Sequence, residues 1–550
     1  MPTVSAHIAA ALARHVDHVF GLMGNGNAYF LDALLRDTHA TFTAVRHEAG
    51  AVAAADAHYR VSRRMAAATT TYGPGFTNTL TSLAEAAQAR VPLVLVVGDQ
   101  PTAGPRPWDI DQIGIAAAVG VRTFTVGRLD AAATTTLAIE HALTHRRPVV
   151  LALPYDLAAR EAGPVPEPTA LQLPAPLAPG EDARAAIART AAALAAAERP
   201  LLLAGRGAWL ADAQDALGRL ADATGALTAS TALGRGIFPA AQHDLGVTGG
   251  FGAPGAMDLI HEADVVVVLG ASLTQFTMRF GELFSPDTHV VQVDVAPAAT
   301  HARVGEYIRG DVRLIADELA AEVARRRGDA TGWRDAVDVA PLRVQEAADG
   351  EFAPDGRLDP RAVAERIGEL LPADRVVVSD GGHFIGWANM YWPVASPGRM
   401  VMVGTAFQTI GIGWPTVAGA AVADPEATVV LTTGDGGGLM AIADLETAAR
   451  AAGGRGVAFV WNDAAYGAEV NLYGLKGLHE DPMRIPQVDF AAFARGVGAE
   501  GLVVERLADL DRLAEWAATP AADRPFLLVD LRISGRVIAP YQEEIIRINS

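Results

Sequence analysis

The sequence predicts an α/β protein built as three doubly wound domains, each a parallel sheet with helices on both faces. Three observations lead there. Short apolar runs of strand length alternate with Ala-rich stretches of helix length along nearly the whole chain, the pattern of a parallel sheet buried on both sides. That rhythm is interrupted twice, by a proline-rich connector, PVPEPTALQLPAPLAPG at residues 164–180, and by a charged segment, RRRGDATGWRDAVD at residues 325–338. At 550 residues the chain exceeds what one core organises, and roughly 150 residues per domain calls for three or four units.

The expected first domain, residues 1–163, has strands in HVFGLMG, FTAVRHE, RMAAATTTYG, VPLVLVVGD and RPVVLALP. The second, residues 185–328, has them in RPLLLAGRG, GALTAS, ADVVVVLGAS and THVVQVDVAP. The third, residues 358–540, has them in RVVVSDGG, ATVVLTTGDG, GVAFVWND and RPFLLVDL. No short-period repeat underlies the three.

Composition excludes several functions. Lys plus Arg minus Asp plus Glu is 44 − 63 = −19, with no basic block, so nucleic acid is not an expected partner. Cysteine is absent, which removes disulfides, thiolate nucleophiles and cysteine-ligated zinc together. The opening MPTVSAHIAAALARHVDHVF interleaves His, Arg and Asp with apolar residues and reads as an amphipathic helix, not a signal peptide. No run of about 18 uncharged apolar residues would span a membrane. A cytoplasmic protein is the expectation.

The chemistry concentrates in GDGGGLMAIADLETAARAAGGRGVAFVWNDAAYG, residues 434–467. A strand that ends in Gly434-Asp435-Gly436-Gly437 and feeds a helix leaves backbone N–H groups open to close approach by an anion. Asp435 would repel a bare phosphate, so Mg²⁺ is expected between them, because that ion mixes carboxylate, phosphate and water ligands. Asn462 and Asp463, about 25 residues on, end the next strand at the same carboxyl edge. The spacing reads as one metal-diphosphate site divided over two strand ends; an ordinary βαβ turn with a capping Asp is the plain alternative.

Two other segments invite comparison with known motifs. HEAGA at His47 fails as a zinc helix, since the second His would fall at Ala51. GLMGNGNAYFLDAL is not a dinucleotide fingerprint, since the third glycine position holds Tyr29. It is read either as a tight turn in which Asn favours positive φ or as a polar loop.

With these residues in view the chain resembles the thiamine-diphosphate-dependent superfamily of acetolactate synthases and 2-oxo-acid decarboxylases. GDG followed by Asn-Asp resembles its cofactor motif, VRHEAGAVAAADAHYR (45–60) its Arg-His-Glu segment, TTTYGPGFTNTLTSLAEA (69–86) its Gly-Pro-Gly segment, and GTAFQTIGIGWPTVAGA (404–420) its cofactor-supporting loop. The resemblance implies a pyrimidine-binding, a central and a diphosphate-binding domain, in that order. It implies that Asp435, Asp463 and the Ala465 carbonyl bind the metal, that Gly434, Gly436, Gly437, His383 and Tyr466 meet the diphosphate end, and that Gly404 shapes the supporting loop. Gln408 would offer its carbonyl to the cofactor's exocyclic amine, and Ile410 would hold the cofactor bent. Glu48 would contact the pyrimidine ring as the catalytic acid; capping of the helix that begins near Ala49 is its plain alternative. His47, Asn25 and Asn27 become candidate substrate contacts. A homodimer or homotetramer is implied, with sites shared between first and third domains of different chains.

The departures are as informative. Relatives carry Phe-Gln-Glu where this chain has Pro107, Trp108 and Asp109, so the substrate donor there is missing or replaced by Asp109, Asp111 or Gln112. No His lies between His58 and His141, so the His pair of yeast-type pyruvate decarboxylases is absent. Flavin-bearing synthases read Gly-Ala-Arg-Phe-Asp-Asp-Arg where this chain has Ser272 and Phe276 in place of the arginines. Gly205, Gly207 and Asp294 still permit FAD, but an empty central domain is preferred. The expected activity is decarboxylation of a small 2-oxo acid and transfer of the activated aldehyde to a second carbonyl, with a simple decarboxylase, a flavin-dependent oxidase or a non-catalytic binding homologue as alternatives.

Overall fold

A computed structural model describes residues 1–326 and 332–549; the expected end of the second domain at 328, and part of the charged segment, lie outside them. Three parallel sheets of six strands form. The first holds β1 (His18–Gly21), β2 (Thr41–Ala44), β3 (Ala67–Thr70), β4 (Leu93–Asp99), β5 (Arg122–Thr125) and β6 (Pro148–Pro154) in the order β2-β1-β3-β4-β6-β5. The second holds β7 (Pro200–Ala204), β8 (Leu227–Ser230), β9 (Asp244–Val247), β10 (Val265–Leu269), β11 (His289–Asp294) and β12 (Glu306–Arg309) in the order β12-β11-β10-β7-β8-β9. The third holds β13 (Arg375–Ser379), β14 (Met400–Met402), β15 (Thr428–Gly434), β16 (Gly456–Asn462), β17 (Glu500–Val504) and β18 (Leu527–Arg532) in the order β14-β13-β15-β16-β18-β17.

Alternation along each central strand feeds two cores. In β4, Val94 and Val96 enter one apolar cluster with Phe30 and Leu151, while Leu93, Leu95 and Val97 enter another with Phe20 and Val150. In β15, Val430 packs with Trp461 and Trp392, and Val429 and Leu431 pack with Trp414 and Phe526. This is why the central strands read as continuous apolar runs.

The first and third sheets share one connectivity, and they meet through equivalent helices. In each, the helix after the second strand is rich in small residues: α1 (Glu48–Ser62) and α2 (Gly413–Ala423). Neither is amphipathic in the usual sense, because both are covered on nearly every side. They approach so closely that a Cβ on Gly419 would lie 2.0 Å from the Ala54 carbonyl oxygen. Downstream lie α3 (Asp435–Met440), α4 (Leu445–Ala452) and the last helix, α5 (Pro540–Asn549). Tyr541 of α5 packs between Gly386 of the third domain and the rings of Phe251 and Phe276 of the second. No helix among the described residues is long and apolar enough to cross a membrane.

Since no side chain fits at the α1–α2 crossing, Gly419→Val should force the first and third domains apart and destabilise the protein by about 1–3 kcal/mol, the usual scale of overpacking. Thermal unfolding of the two proteins checks this, with Gly350→Val, where φ is not positive and a Cβ meets nothing within 4 Å, as the control for the loss of a glycine.

Candidate active site

Both outer sheets reverse strand order between their first and third strands, and in open parallel sheets ligands settle at the carboxyl ends flanking that point. In the third sheet those ends are Ser379 of β13 and Gly434 of β15. Asp380 and His383 follow the first, Asp435 follows the second, and Asp463 follows the neighbouring β16.

Asp435 is buried and accepts from the Gly436 N–H at 2.8 Å through Oδ1. Its Oδ2 and both oxygens of Asp463 are buried without a hydrogen-bond donor. His383 Nε2 lies 3.1 Å from Asp463 Oδ2, at ion-pair distance but outside hydrogen-bond geometry. Burial alone would lower the His383 imidazole, but Asp463 and Asp435 outweigh it and hold the group above its ordinary value. Asn462 faces away, donating to Asp530 at 2.8 Å and to the Val488 carbonyl. Ala464 is left-handed (φ 62), and pairing of 464–466 with 483–485 fixes Ala465 and Tyr466 beside the carboxylates.

Glycines clear the space. A Cβ on Gly436 would meet the Tyr466 ring at 2.5 Å, and one on Gly467 the His383 imidazole at 2.3 Å. No cluster of three or more His, Cys, Asp or Glu residues suited to a metal exists among the described residues. Two carboxylates with three unsatisfied oxygens instead fit a hard cation that takes its remaining ligands from phosphate, carbonyl and water.

The supporting loop lies alongside. Gly404 (φ 111) accepts from the Thr409 N–H at 2.8 Å, and Gln408 is left-handed (φ 57) and exposed. Ile410 is half-buried with its Cγ2 3.0 Å from where a Gly381 Cβ would be, so it stands beside the β13 end. A residue not identified from the sequence, Asp380, holds this arrangement. Fully buried, it accepts from the N–H groups of Gly381 and Gly411 and from the Thr433 hydroxyl, at 2.8, 3.1 and 3.1 Å. The signal was available: SDGG at a strand end has the same form as GDGG.

In the first domain Glu48 opens α1, half-buried, and its Oε2 accepts from Asn78 Nδ2 at 2.9 Å. The helix is capped by His47, whose Nδ1 accepts from the Ala49 N–H, so capping falls to His47 and not Glu48. Among the described residues no hydrogen bond or ion pair joins Glu48 to the Asp435 site of its own chain.

The substrate candidates separate. Asn25 is exposed and donates to the Tyr72 hydroxyl, whereas Asn27 is buried with its amide bonded to Gly24, Leu22 and Thr69, shaping the loop. Neither has positive φ; the adjoining glycines serve close packing, since a Cβ on Gly26 would meet Tyr72 at 2.8 Å. Trp108 is exposed. Asp109 is bound to Arg106, Asp111 caps a helix, and Gln112 is buried against Gly73, Gly98 and Asp99. Each of the three polar residues expected to replace the relatives' donor is thus engaged, Asp109 and Asp111 within their own loop and Gln112 with Gly73, Gly98 and Asp99.

In the second domain the order is that of dinucleotide-binding sheets, with β7 and β10 flanking the crevice. The loops there bond to each other: the Gly207 N–H donates to the Gly270 carbonyl at 2.8 Å. Phe276 stacks with Phe251 and Tyr541, and the Ser272 carbonyl accepts from Thr277, so the positions of the flavin enzymes' arginines belong to an aromatic cluster and a turn.

Burial, reinforced by the Asp463 charge, pushes the Asp435 carboxyl up to about 7, and burial pushes Asp380 up to about 6. A carboxyl raised in the folded state above its unfolded value near 3.9 binds its proton more tightly when folded. Its contribution is therefore full below about pH 4 and is lost as pH rises through the folded value. Cation-free protein should unfold at higher temperature at pH 5.5 than at pH 8, and Asp435→Asn should shrink that difference; equal pH dependence in the two proteins would show that Asp435 does not carry it.

Comparison with known proteins agrees domain by domain. Residues 2–115 match the N-terminal TPP binding domain of thiamine pyrophosphate (diphosphate) enzymes, residues 187–319 their central domain, and residues 380–530 their C-terminal TPP binding domain. The chain is 28% identical to an acetolactate synthase of Mycobacterium leprae, over 89% of this chain and 80% of that one. It is 28% identical to a sulfoacetaldehyde acetyltransferase of Alcaligenes xylosoxydans xylosoxydans, over 93% and 89%. To the acetolactate synthase isozyme 3 large subunit of Escherichia coli K12 it is 27% identical, over 96% and 94%. Matched in all three domains and in their order, the chain belongs to the thiamine pyrophosphate enzyme family.

Proposed function

We propose that the protein is a thiamine-diphosphate- and Mg²⁺-dependent carboligase that decarboxylates a 2-oxo acid and joins the remaining fragment to a second carbonyl. The observation that carries the reading is the pair Asp435 and Asp463, buried at the carboxyl edge of the third sheet with three oxygens lacking donors. When bound, thiamine diphosphate supplies a thiazolium that accepts the electron pair released with CO₂.

The chain's own residues would bind, orient and move one proton. Asp435, Asp463 and the Ala465 carbonyl would hold Mg²⁺, and the N–H groups around Gly436 and Gly437 with the His383 loop would meet the phosphates. The Gln408 carbonyl would accept from the cofactor's exocyclic amine, Ile410 would set the cofactor's bend, and Glu48 would share a proton with the pyrimidine nitrogen. The likeness to acetolactate synthases and to an acetyltransferase supports bond formation over simple decarboxylation. So does the lack of His between His58 and His141. Incubation with cofactor, Mg²⁺ and a panel of 2-oxo acids, with and without an acceptor carbonyl, tests this by mass spectrometry. Joined products support it; aldehyde alone indicates a decarboxylase, and a bound flavin with peroxide indicates an oxidase.

Glu48→Gln keeps size and hydrogen bonding but removes the titrating group. Cofactor should remain bound while its C2–H exchange into D₂O slows by on the order of 10²-fold or more; wild-type exchange in the loaded variant would remove Glu48 from the mechanism.

The family resemblance supports a homodimer, or a tetramer of such dimers, in which Glu48 of one copy and Asp435 of another serve one cofactor. Inactive Glu48→Gln and Asp435→Ala chains, once mixed and exchanged, should recover activity toward the quarter of sites that pair two intact domains. No recovery after demonstrated subunit exchange would show that sites are not shared.

A further inference from the structure

Away from the carboxylate pair the molecule buries another group of charges. On α1, Asp56 and Arg60 lie one turn apart, 0% and 3% exposed, and Glu85 of the helix Leu80–Gln88 is 0% exposed. Arg60 binds Asp56 through Nε and donates from Nη2 to Glu85 Oε1 at 2.9 Å. Arg206, from the second domain, is a half-buried cation that donates to the Ala89 carbonyl at 2.8 Å and is close enough to feel both Arg60 and Asp56. Two carboxylates and two guanidiniums therefore balance where all three domains meet.

What remains of the bonding capacity goes to one place. Arg60 Nη1 donates to the Met402 carbonyl at 2.7 Å, and Glu85 Oε2 accepts from the Phe407 N–H at 2.7 Å. Residues 402 and 407 bracket the start of the supporting loop, and the next residue is Gln408, held in the left-handed region. The far end of the same loop, Gly411, is held by Asp380. Met402 and Val403 are buried, but from Thr405 on the segment comes to the surface and Phe407 is 49% exposed, so apolar burial does not fix residues 405–408. A buried carboxylate that spends one oxygen on a loop amide fixes that peptide's direction, which an apolar side chain of the same volume would not do.

We infer that Glu85 and Arg60 are positioning residues that set the backbone of residues 402–408, and with it the Gln408 carbonyl; this rests on the proposed role of that loop in supporting the cofactor. One helix then acts at both ends. Glu48 opens α1 and Arg60 lies twelve residues on, about 18 Å along the axis. The first end would face a partner's cofactor while the second steadies the loop of its own chain.

The test measures amide hydrogen exchange of the segment 402–410 by mass spectrometry, in cofactor-free and loaded protein, together with C2–H exchange of bound thiamine diphosphate. In wild-type protein the surface part of the segment, residues 405–408 with the Phe407 amide, should be protected by on the order of 10²-fold or more over free chain. Glu85→Ala should lose at least about tenfold of that protection in this segment and not in β15. With cofactor saturating it should also slow C2–H exchange by about tenfold, and Glu85→Gln, which retains an acceptor for the Phe407 amide, should recover part of both. An unprotected segment in the wild-type protein would overturn the inference without any variant. So would folded, fully loaded Glu85→Ala that exchanges C2–H at the wild-type rate. Wild-type protein that binds no thiamine diphosphate would sink the functional reading instead, and the amide measurement on cofactor-free protein would still decide whether the clamp exists.

Discussion

Two carboxylates side by side, buried and short of donors, are what the rest of the third domain is arranged around. Asp435 and Asp463 repel each other, and burial adds to the penalty, so the folded protein without a cation is held in an unfavourable electrostatic state. The surroundings prevent relief by rearrangement. Tyr466 and His383 fill the sides against glycines that admit no other residue, and Asn462 is tied to Asp530 so that β16 cannot turn a neutral amide inward. Frustration of this kind is resolved by bringing in positive charge, and so a cation that binds the folded form but not the unfolded one contributes directly to stability.

Much of the architecture was legible because central strands of parallel sheets announce themselves. The strands not recognised from the sequence are β5, β9, β12, β14 and β17, and every one lies at or forms the edge of its sheet. The physical reason is common to them. An edge strand has a neighbour on one side, needs less apolar surface, and here runs for five residues or fewer. RTFT in β5 is exposed at both its ends, and β17 is only half-buried along most of its length. Continuous apolar runs mark the central strands, covered on both faces and flanked on both sides; of the six edge strands the sequence marks one, β2.

The site divides in a similar way. Asp435 and Asp463 stand out from type and spacing at strand ends, whereas His383 enters only through the family resemblance. Asp380 was overlooked although it follows the same grammar, because its partners are main-chain N–H groups that leave no trace in composition. Arg60 and Glu85 were invisible for another reason: their meaning comes from a loop more than 300 positions away. Asn27 and Gln112 show the converse, where a polar residue in a promising loop is consumed in building it.

The first and third sheets have one strand order, and α1 and α2 occupy the same place in it. Their contact is therefore between two domains of one strand order, closest where Gly419 meets Ala54. A surface made to pair in this way needs to be invented once. Two copies on one chain can then diverge without losing their grip, one keeping a pair of aspartates at its strand ends and the other a single glutamate at a helix start. The chemical asymmetry between the two halves is carried by a few side chains at matching edges, laid over one strand order used twice.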